Sequence, residues 1–175
     1  IDGINKPALA ALWPNQKDMN LVLDLGANIE CNEKNLVDFA CMGSALSKSL
    51  FNIERPKVAL LNVGLEEIKG NDILKKTFSI LKNNKLKNFE FCGYIEANQI
   101  MEGKVDVIVT DGFTGNIALK TAEGTANFIS ENLKKSLSKI SILFSYNSLK
   151  KFKEKLDPRK YNGAIFLGLQ GPVVK

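Results

Sequence analysis

Val105–Thr110 is a short, mostly β-branched run, and Asp111, Gly112 and Gly115 punctuate it before a helical pattern begins. A run that short and apolar, closed by a glycine turn, reads as a buried parallel strand feeding a helix. In an open parallel sheet, ligands bind at the carboxyl ends of the strands, where the free N–H groups of the next helix favour an anion. Thr114 and Asn116 would sit at that mouth. The competing reading is an ordinary turn whose Gly, Asp and Asn satisfy backbone geometry and cap the helix. A second turn of the same kind lies upstream. Lys57–Asn62 is another apolar run, followed by the polar stretch 63–71 and a helical period from Ile73 to Leu81. One strand end thus offers a lysine, Lys69, and the other an amide, Asn116.

Taken in order, residues 1–20 read as an irregular lead-in with Pro7 and Pro14. Ala8–Trp13 is a short strand or turn that packs Trp13 onto the body, and Asn15–Asn20 is a surface loop. Leu21–Leu25 is the first clear strand, ending in Gly26-Ala27-Asn28. Asn32 is a fair N-cap for a helix from Glu33 to Ser49, with Leu36, Val37, Phe39, Ala40, Met42 and Leu46 forming a core stripe. A helix to Lys82, a third strand Phe89–Cys92 and a brief helical turn Glu96–Met101 follow. From Thr114 a helix continues toward Lys139, and Ala164–Val174 resembles two short strands joined by a turn. Strands alternating with helices predict an α/β fold with a doubly wound, mostly parallel sheet in a single domain over 1–175. Strand order is not legible.

Composition narrows the function. A length of 175 residues, 45% of them hydrophobic and 25% charged, suits a globular chain with a core of its own. No apolar run reaches the roughly 20 residues of a membrane-spanning helix, and the first residues lack a signal-peptide pattern, so a cytoplasmic location is expected. A net charge of +5 suits an anionic partner. No aromatic-interleaved basic module points to nucleic acid. The chain has no histidine, which excludes Ser-His-Asp and Cys-His pairs within it. Cys31, Cys41 and Cys92 are widely spaced and read as reduced, buried, inert thiols. No metal or cofactor is expected. No Gly-x-Gly-x-x-Gly follows a predicted strand, which disfavours a nicotinamide-linked dehydrogenase.

Several stretches together resemble one family. They are Lys6–Ala10, Leu23–Asn28, Phe39–Ser44, Leu60–Gly64 with Glu66–Asn71, Val109–Asn116 with Leu119–Thr121, and Tyr161–Ala164 through Gly171. In this order they are similar to the bacterial phosphate acyltransferases of phospholipid synthesis, the acyl-ACP:phosphate transacylases. The resemblance implies a Rossmann-like fold of the isocitrate dehydrogenase/phosphotransacetylase type with a protruding helical hairpin, here 128–156. It also implies that the chain is an interior and carboxyl-terminal part of a longer protein. The implied reaction converts acyl carrier protein thioester and inorganic phosphate to acyl phosphate. No protein nucleophile is needed, because a phosphate oxygen attacks the thioester carbonyl. The pocket must instead hold a dianion and stabilise the tetrahedral oxyanion.

Carried onto this sequence, the resemblance assigns Lys69 to neutralise phosphate or the developing oxyanion, and Asn116 to donate a hydrogen bond to the acyl carbonyl or phosphate. Asp111 either orients those two or bonds backbone amides in the turn. Thr114 and Gly115 are expected to contact phosphate through backbone N–H groups, with Asp24 and Asn28 as further candidates at the first strand's end. Glu66 and Glu67 should face solvent, pair with Lys69 or cap the next helix. Where the family commonly has Asn and Arg, this chain has Tyr94 and Asn98. Ile142, Leu143 and Phe144, among surrounding lysines, resemble a membrane-touching tip, with a dimer contact or a helix-pair tip packed on itself as the competing readings. The expected partners are acyl-ACP, phosphate, an anionic membrane surface and a second copy in a homodimer. The runner-up is a phosphotransacetylase-like enzyme using acyl-CoA, and a third reading is a non-catalytic anion-binding or scaffold module.

Overall fold

The computed structural model describes residues 4–83, 88–136, 163–169, 171 and 173–174. The strands are β1 (Ala8–Pro14), β2 (Met19–Leu23), β3 (Lys57–Asn62), β4 (Glu90–Glu96), β5 (Val107–Val109), β6 (Ile165–Leu167) and β7 (Val173–Val174). The helices are α1 (Glu33–Phe51), α2 (Asp72–Lys82) and α3 (Gly112–Ser136), with a 3₁₀ segment at Ala97–Glu102. The strands form one sheet in the order β4-β3-β5-β2-β1-β6-β7. β4, β3, β5 and β2 run parallel, whereas β1, β6 and β7 add to β2 by antiparallel pairing.

The central strands are apolar on both sides because both sides are covered. Leu21, Leu23, Val58, Leu60, Val107 and Val109 pack with Leu36, Phe39 and Ala40 of α1, joined by Leu74 and Phe78 of α2. On the other face, Val22, Ala59, Leu61 and Ile108 pack with Ala118, Leu119 and Ala122 of α3. This is the doubly wound arrangement. Trp13 is buried in the second cluster, as its apolar neighbours imply. α1 starts where the sequence puts it. The Asn32 side chain accepts the Asn35 N–H, and the Asn35 side chain accepts the Asn32 N–H in return, satisfying two orphan donors.

In a sheet whose strands β4, β3, β5 and β2 run parallel as expected, the structure departs from the sequence expectation in three places. The Asn15–Asp18 turn is too short for a crossover and forces β1 and β2 into an antiparallel hairpin. β2 therefore begins at Met19, inside the stretch expected as a loop. Its Asn20 is buried, and its amide donates to the Ile100 carbonyl at 2.7 Å. β4 runs past Gly93, at φ 85°, to Glu96, and the register against β3 shifts between Val58 and Leu60. That glycine marks a strand irregularity, not a strand end. Cys92 lies exposed on edge strand β4 rather than buried. Residues 128–136 of the expected hairpin are the last turns of α3. The remainder of it, including Ile142, Leu143 and Phe144, lies outside the described residues.

α1 crosses the sheet at Gly43, where a Cβ would come 2.7 Å from a Val107 methyl and 2.8 Å from a Leu23 methyl. Overpacking such a contact costs about 1–3 kcal/mol. Gly43→Val is expected to lower the urea-unfolding free energy of the full-length protein by that amount. An unchanged midpoint would contradict so close an approach.

Candidate functional site

β2, β5 and β3 are adjacent and parallel, so their carboxyl ends leave the same edge of the sheet. Three loops emerge there: residues 24–32, 110–111 leading into α3, and 63–71. The first is built around one carboxylate. Asp24 is fully buried directly after β2. Its Oδ1 accepts the N–H groups of Leu9, Gly26 and Ala27 at 2.9, 3.2 and 3.0 Å. Its Oδ2 accepts the Asn28 N–H at 2.7 Å and the Asn28 side-chain amide at 2.8 Å. Five donors satisfy a buried charge that would otherwise be costly. The Leu23–Asp24 peptide is cis.

The amino end of α3 rests on this turn. The Gly112 N–H donates to the Asn28 carbonyl at 2.8 Å. A Cβ on Gly112 would lie 2.5 Å from that oxygen, and one on Gly115 would overlap the Asp24 carbonyl oxygen. The two glycines of Asp111-Gly112-Phe113-Thr114-Gly115-Asn116 are therefore a close-approach requirement, helix backbone against turn backbone. Asn116, one residue on, donates from its amide to the Leu25 carbonyl at 3.3 Å, over Gly26 at φ 128°. A Cβ on Gly26 would meet the Asn116 Nδ2 at 2.8 Å. Bonding to Leu25 uses one of the two amide protons of Asn116.

Asp111 is a helix cap. Its Oδ1 accepts the Thr114 N–H and its Oδ2 the Thr114 hydroxyl, both at 2.8 Å, while its carbonyl accepts the Gly115 N–H at 2.9 Å. In this conformation the Thr114 and Gly115 amides already have partners, so an anion there would have to share them with Asp111. Both protons of the Asn28 side-chain amide are engaged too, by Asp24 and by the Pro7 carbonyl at 2.7 Å. Asn28 ties the turn to β1. The sequence-predicted residues Asp24, Asn28, Asp111, Thr114, Gly115 and Asn116 thus form one connected cluster.

Lys69 stands in the neighbouring loop after β3. Its N–H donates to the Glu66 carbonyl at 2.9 Å, and its side chain is exposed, with no ion-pair partner among the described residues. Its side chain makes no hydrogen bond to the α3 turn. Glu66 and Glu67 face solvent as expected, but Glu67 pairs with Lys82 of α2 at 2.6 Å rather than with Lys69. The cap of α2 is Asn71, which accepts the Leu74 N–H. Tyr94 is buried against Phe78, with ring centroids 4.8 Å apart, and burial raises its pKa. It is a packing residue, while Asn98 is exposed. Residues the sequence left aside also shape this edge. Gly26 makes room for Asn116, and Asn62 holds the Lys69 loop; only the end of an apolar run marked the latter.

Cys31 is the thiol nearest this cluster. Its sulfhydryl approaches the Asn28 carbonyl at 3.9 Å. Burial, followed by the Asp24 charge, pushes its pKa up to about 11, against a lowering bond from the Gly112 backbone. A thiol so raised is a poor nucleophile near neutrality.

Six large apolar side chains are exposed around the three loops: Ile29, Val63, Leu65, Ile68, Phe113 and Ile117, with Val63 and Ile68 each about four-fifths exposed. Cation, amide and apolar rim share one edge. Among the described residues no helix is long and apolar enough to cross a membrane, and no group of His, Cys, Asp and Glu could hold a metal ion.

Two outcomes are expected of this cluster. Asp24→Ala leaves four backbone N–H groups without an acceptor, that of Leu9 buried and those of Gly26, Ala27 and Asn28 part-buried, at about 1–3 kcal/mol each where they stay unsatisfied. Chemical denaturation should show a loss of several kcal/mol, with Asp24→Asn less severe because it keeps an acceptor oxygen. At pH 8, native Cys31 should resist iodoacetamide and react only on unfolding, since about one thiol in a thousand is ionised. Rapid native labelling, read by mass spectrometry, would contradict that burial.

Solved structures of similar fold are phosphotransacetylases and a branched-chain phosphotransacylase by title. The chain superposes on EutD phosphotransacetylase from Staphylococcus aureus with a TM-score of 0.54 at 18% identity, covering 73% of this chain and 44% of that one. A branched-chain phosphotransacylase from Enterococcus faecalis gives 0.53 at 15%, covering 67% and 49%. At such identities the likeness establishes the fold alone. Sequence relatives are nearer. A protein named phosphate acyltransferase from Pelagibacter ubique is 63% identical over all of this chain and 54% of its own length. One of the same name from Sinorhizobium fredii is 47% identical over all of this chain and 52% of its own. The chain spans about half the length of the curated relatives it matches. Residues 1–175 also match, from end to end, the family described as fatty acid synthesis protein. The motifs at the three strand ends are carried on the fold those relatives imply, and the chain belongs to that family.

Proposed function

We propose that the protein containing these residues transfers a fatty acyl group from a carrier-protein thioester to inorganic phosphate, giving acyl phosphate for phospholipid synthesis. The observation that carries the reading is the amphipathic edge: a lysine and an amide on adjacent strand ends, ringed by six exposed apolar side chains. An anion and a lipid-like acyl group need such a mixed surface together. The names of the relatives support the same chemistry.

In this reading a phosphate oxygen attacks the thioester carbonyl carbon, and the carbonyl oxygen takes up the negative charge. Collapse of the tetrahedral intermediate breaks the C–S bond, and the proton carried by the phosphate passes to the departing carrier thiolate. Lys69 offsets the charge of phosphate and oxyanion, and Asn116 donates to the oxygen through the amide proton that Leu25 leaves free. Asp111, Thr114, Gly115 and Asn28 line the anion side, Asp111 and Asn28 by holding its backbone in shape. Catalysis comes from positioning and preorganised charge, not from a protein nucleophile.

Acyl carrier protein as donor, a homodimer and peripheral attachment to the inner face of the membrane through Ile142, Leu143 and Phe144 belong to the same reading. The net charge of +5 supports an anionic surface. Phe128 and Ile129, exposed toward the far end of α3, leave apolar surface for a partner.

The test follows acyl phosphate formation by full-length protein from a long-chain acyl carrier thioester and phosphate. Removing a donor to an oxyanion costs about a hundred- to a thousandfold in rate, so Lys69→Ala and Asn116→Ala should each fall by that factor. Undiminished turnover in both would reject the site. Faster turnover with acyl-CoA than with the carrier thioester would favour the phosphotransacetylase-like alternative.

A further inference from the structure

Asn62 closes β3 and is buried. Its Oδ1 accepts the N–H of Val63 at 2.9 Å, and its Nδ2 donates to the carbonyl of Lys69 at 3.2 Å. One amide thus holds both ends of the loop from Val63 to Lys69. Gly70 follows at φ 87°, and a Cβ there would meet the Asn62 Oδ1 at 2.5 Å, so the chain passes directly over the amide.

Among the described residues, the loop's other side-chain tie is the exposed Glu67–Lys82 ion pair to α2 at 2.6 Å. Val63, Leu65, Glu66, Glu67, Ile68 and Lys69 are all exposed. A loop without a core of its own keeps its shape through its backbone bonds. Two internal bonds set the position of Lys69, its N–H to the Glu66 carbonyl and its carbonyl to Asn62. Only the second ties it to the sheet.

We propose that Asn62 is a positioning residue for the acyl-transfer step: its buried amide fixes the Lys69 backbone so that the ammonium stands over the edge shared with Asn116. This rests on the role given to Lys69 above. Displacing a charge by about 1 Å can cost of the order of a hundredfold in rate. Asn62→Asp keeps the acceptor for Val63 but sets an oxygen against the Lys69 carbonyl.

The experiment is a double-mutant cycle on the full-length enzyme, with Asn62→Asp, Lys69→Ala and the double variant assayed for kcat and for KM toward phosphate. Thermal melts select folded variants, and Asn62→Ala, which removes both bonds without adding charge, replaces Asn62→Asp if the latter folds poorly. Asn62→Asp is expected to lose about tenfold to a hundredfold in kcat/KM, through the same parameter that Lys69→Ala changes. The double variant should be no more than about threefold slower than Lys69→Ala, because a misplaced lysine cannot be lost twice. A general structural role would instead multiply the two losses, and that result overturns the proposal. So does a folded Asn62 variant with turnover within twofold of the parent while Lys69→Ala is slow, an outcome that leaves the Lys69 reading standing. Full turnover in Lys69→Ala would overturn both.

Discussion

The buried carboxylate of Asp24 is the constraint on which this edge of the molecule depends. It joins β1 through the Leu9 amide and shapes the turn of Gly26, Ala27 and Asn28. Through Asn28 it also sets the seat on which α3 begins. A carboxylate in that position must collect several donors at once, since one left unpaired would be expelled toward water. Four of its five donors are backbone N–H groups, whose path is thereby fixed, and the fifth is the Asn28 side-chain amide. The cluster around Asn116 is accordingly rigid by construction, whereas among the described residues the loop bearing Lys69 is tied back to β3 by one side chain, Asn62, and to α2 by the exposed Glu67–Lys82 pair.

That contrast suits a site of two unlike parts. The turn beneath Asn116 has to present a donor at a fixed point, where any adjustment would lose the benefit of preorganisation. The lysine acts as a charge at the end of a flexible stem and tolerates more freedom. Glycine is used accordingly. Gly112 and Gly115 bring two backbones together, and Gly26 clears space for an amide. Gly70 lets the chain turn back over Asn62 at a positive φ.

Much of this was legible in the residues. Asn32 announced the start of α1, Lys57–Asn62 matched β3 end to end, and the Asp111–Asn116 motif stood where a strand gives way to a helix. These are local signals, set by periodicity and capping. What stayed hidden depends on contacts distant in sequence. Asn20 looks like a loop residue until the Ile100 carbonyl is beside it, and Asp24 is a modest candidate until Leu9 is seen to donate to it. Gly93 reads as a terminator because only pairing with β3 shows the strand continuing. Lys69 and Asn116 share an edge only because β5 lies beside β3, and no local pattern encodes strand order.

The sheet is also completed out of chain order. β1 pairs on one side with β2 and on the other with β6, which lies some 150 residues later. During synthesis the backbone groups of Ala8, Leu9 and Ala10 therefore wait beside their future neighbour until residues 165–167 emerge from the ribosome. An apolar strand waiting with one flank open is an invitation to pair with a stranger. The amphipathic edge, by contrast, is assembled from β2, β3 and β5 and has all its strands in hand well before that flank is sealed.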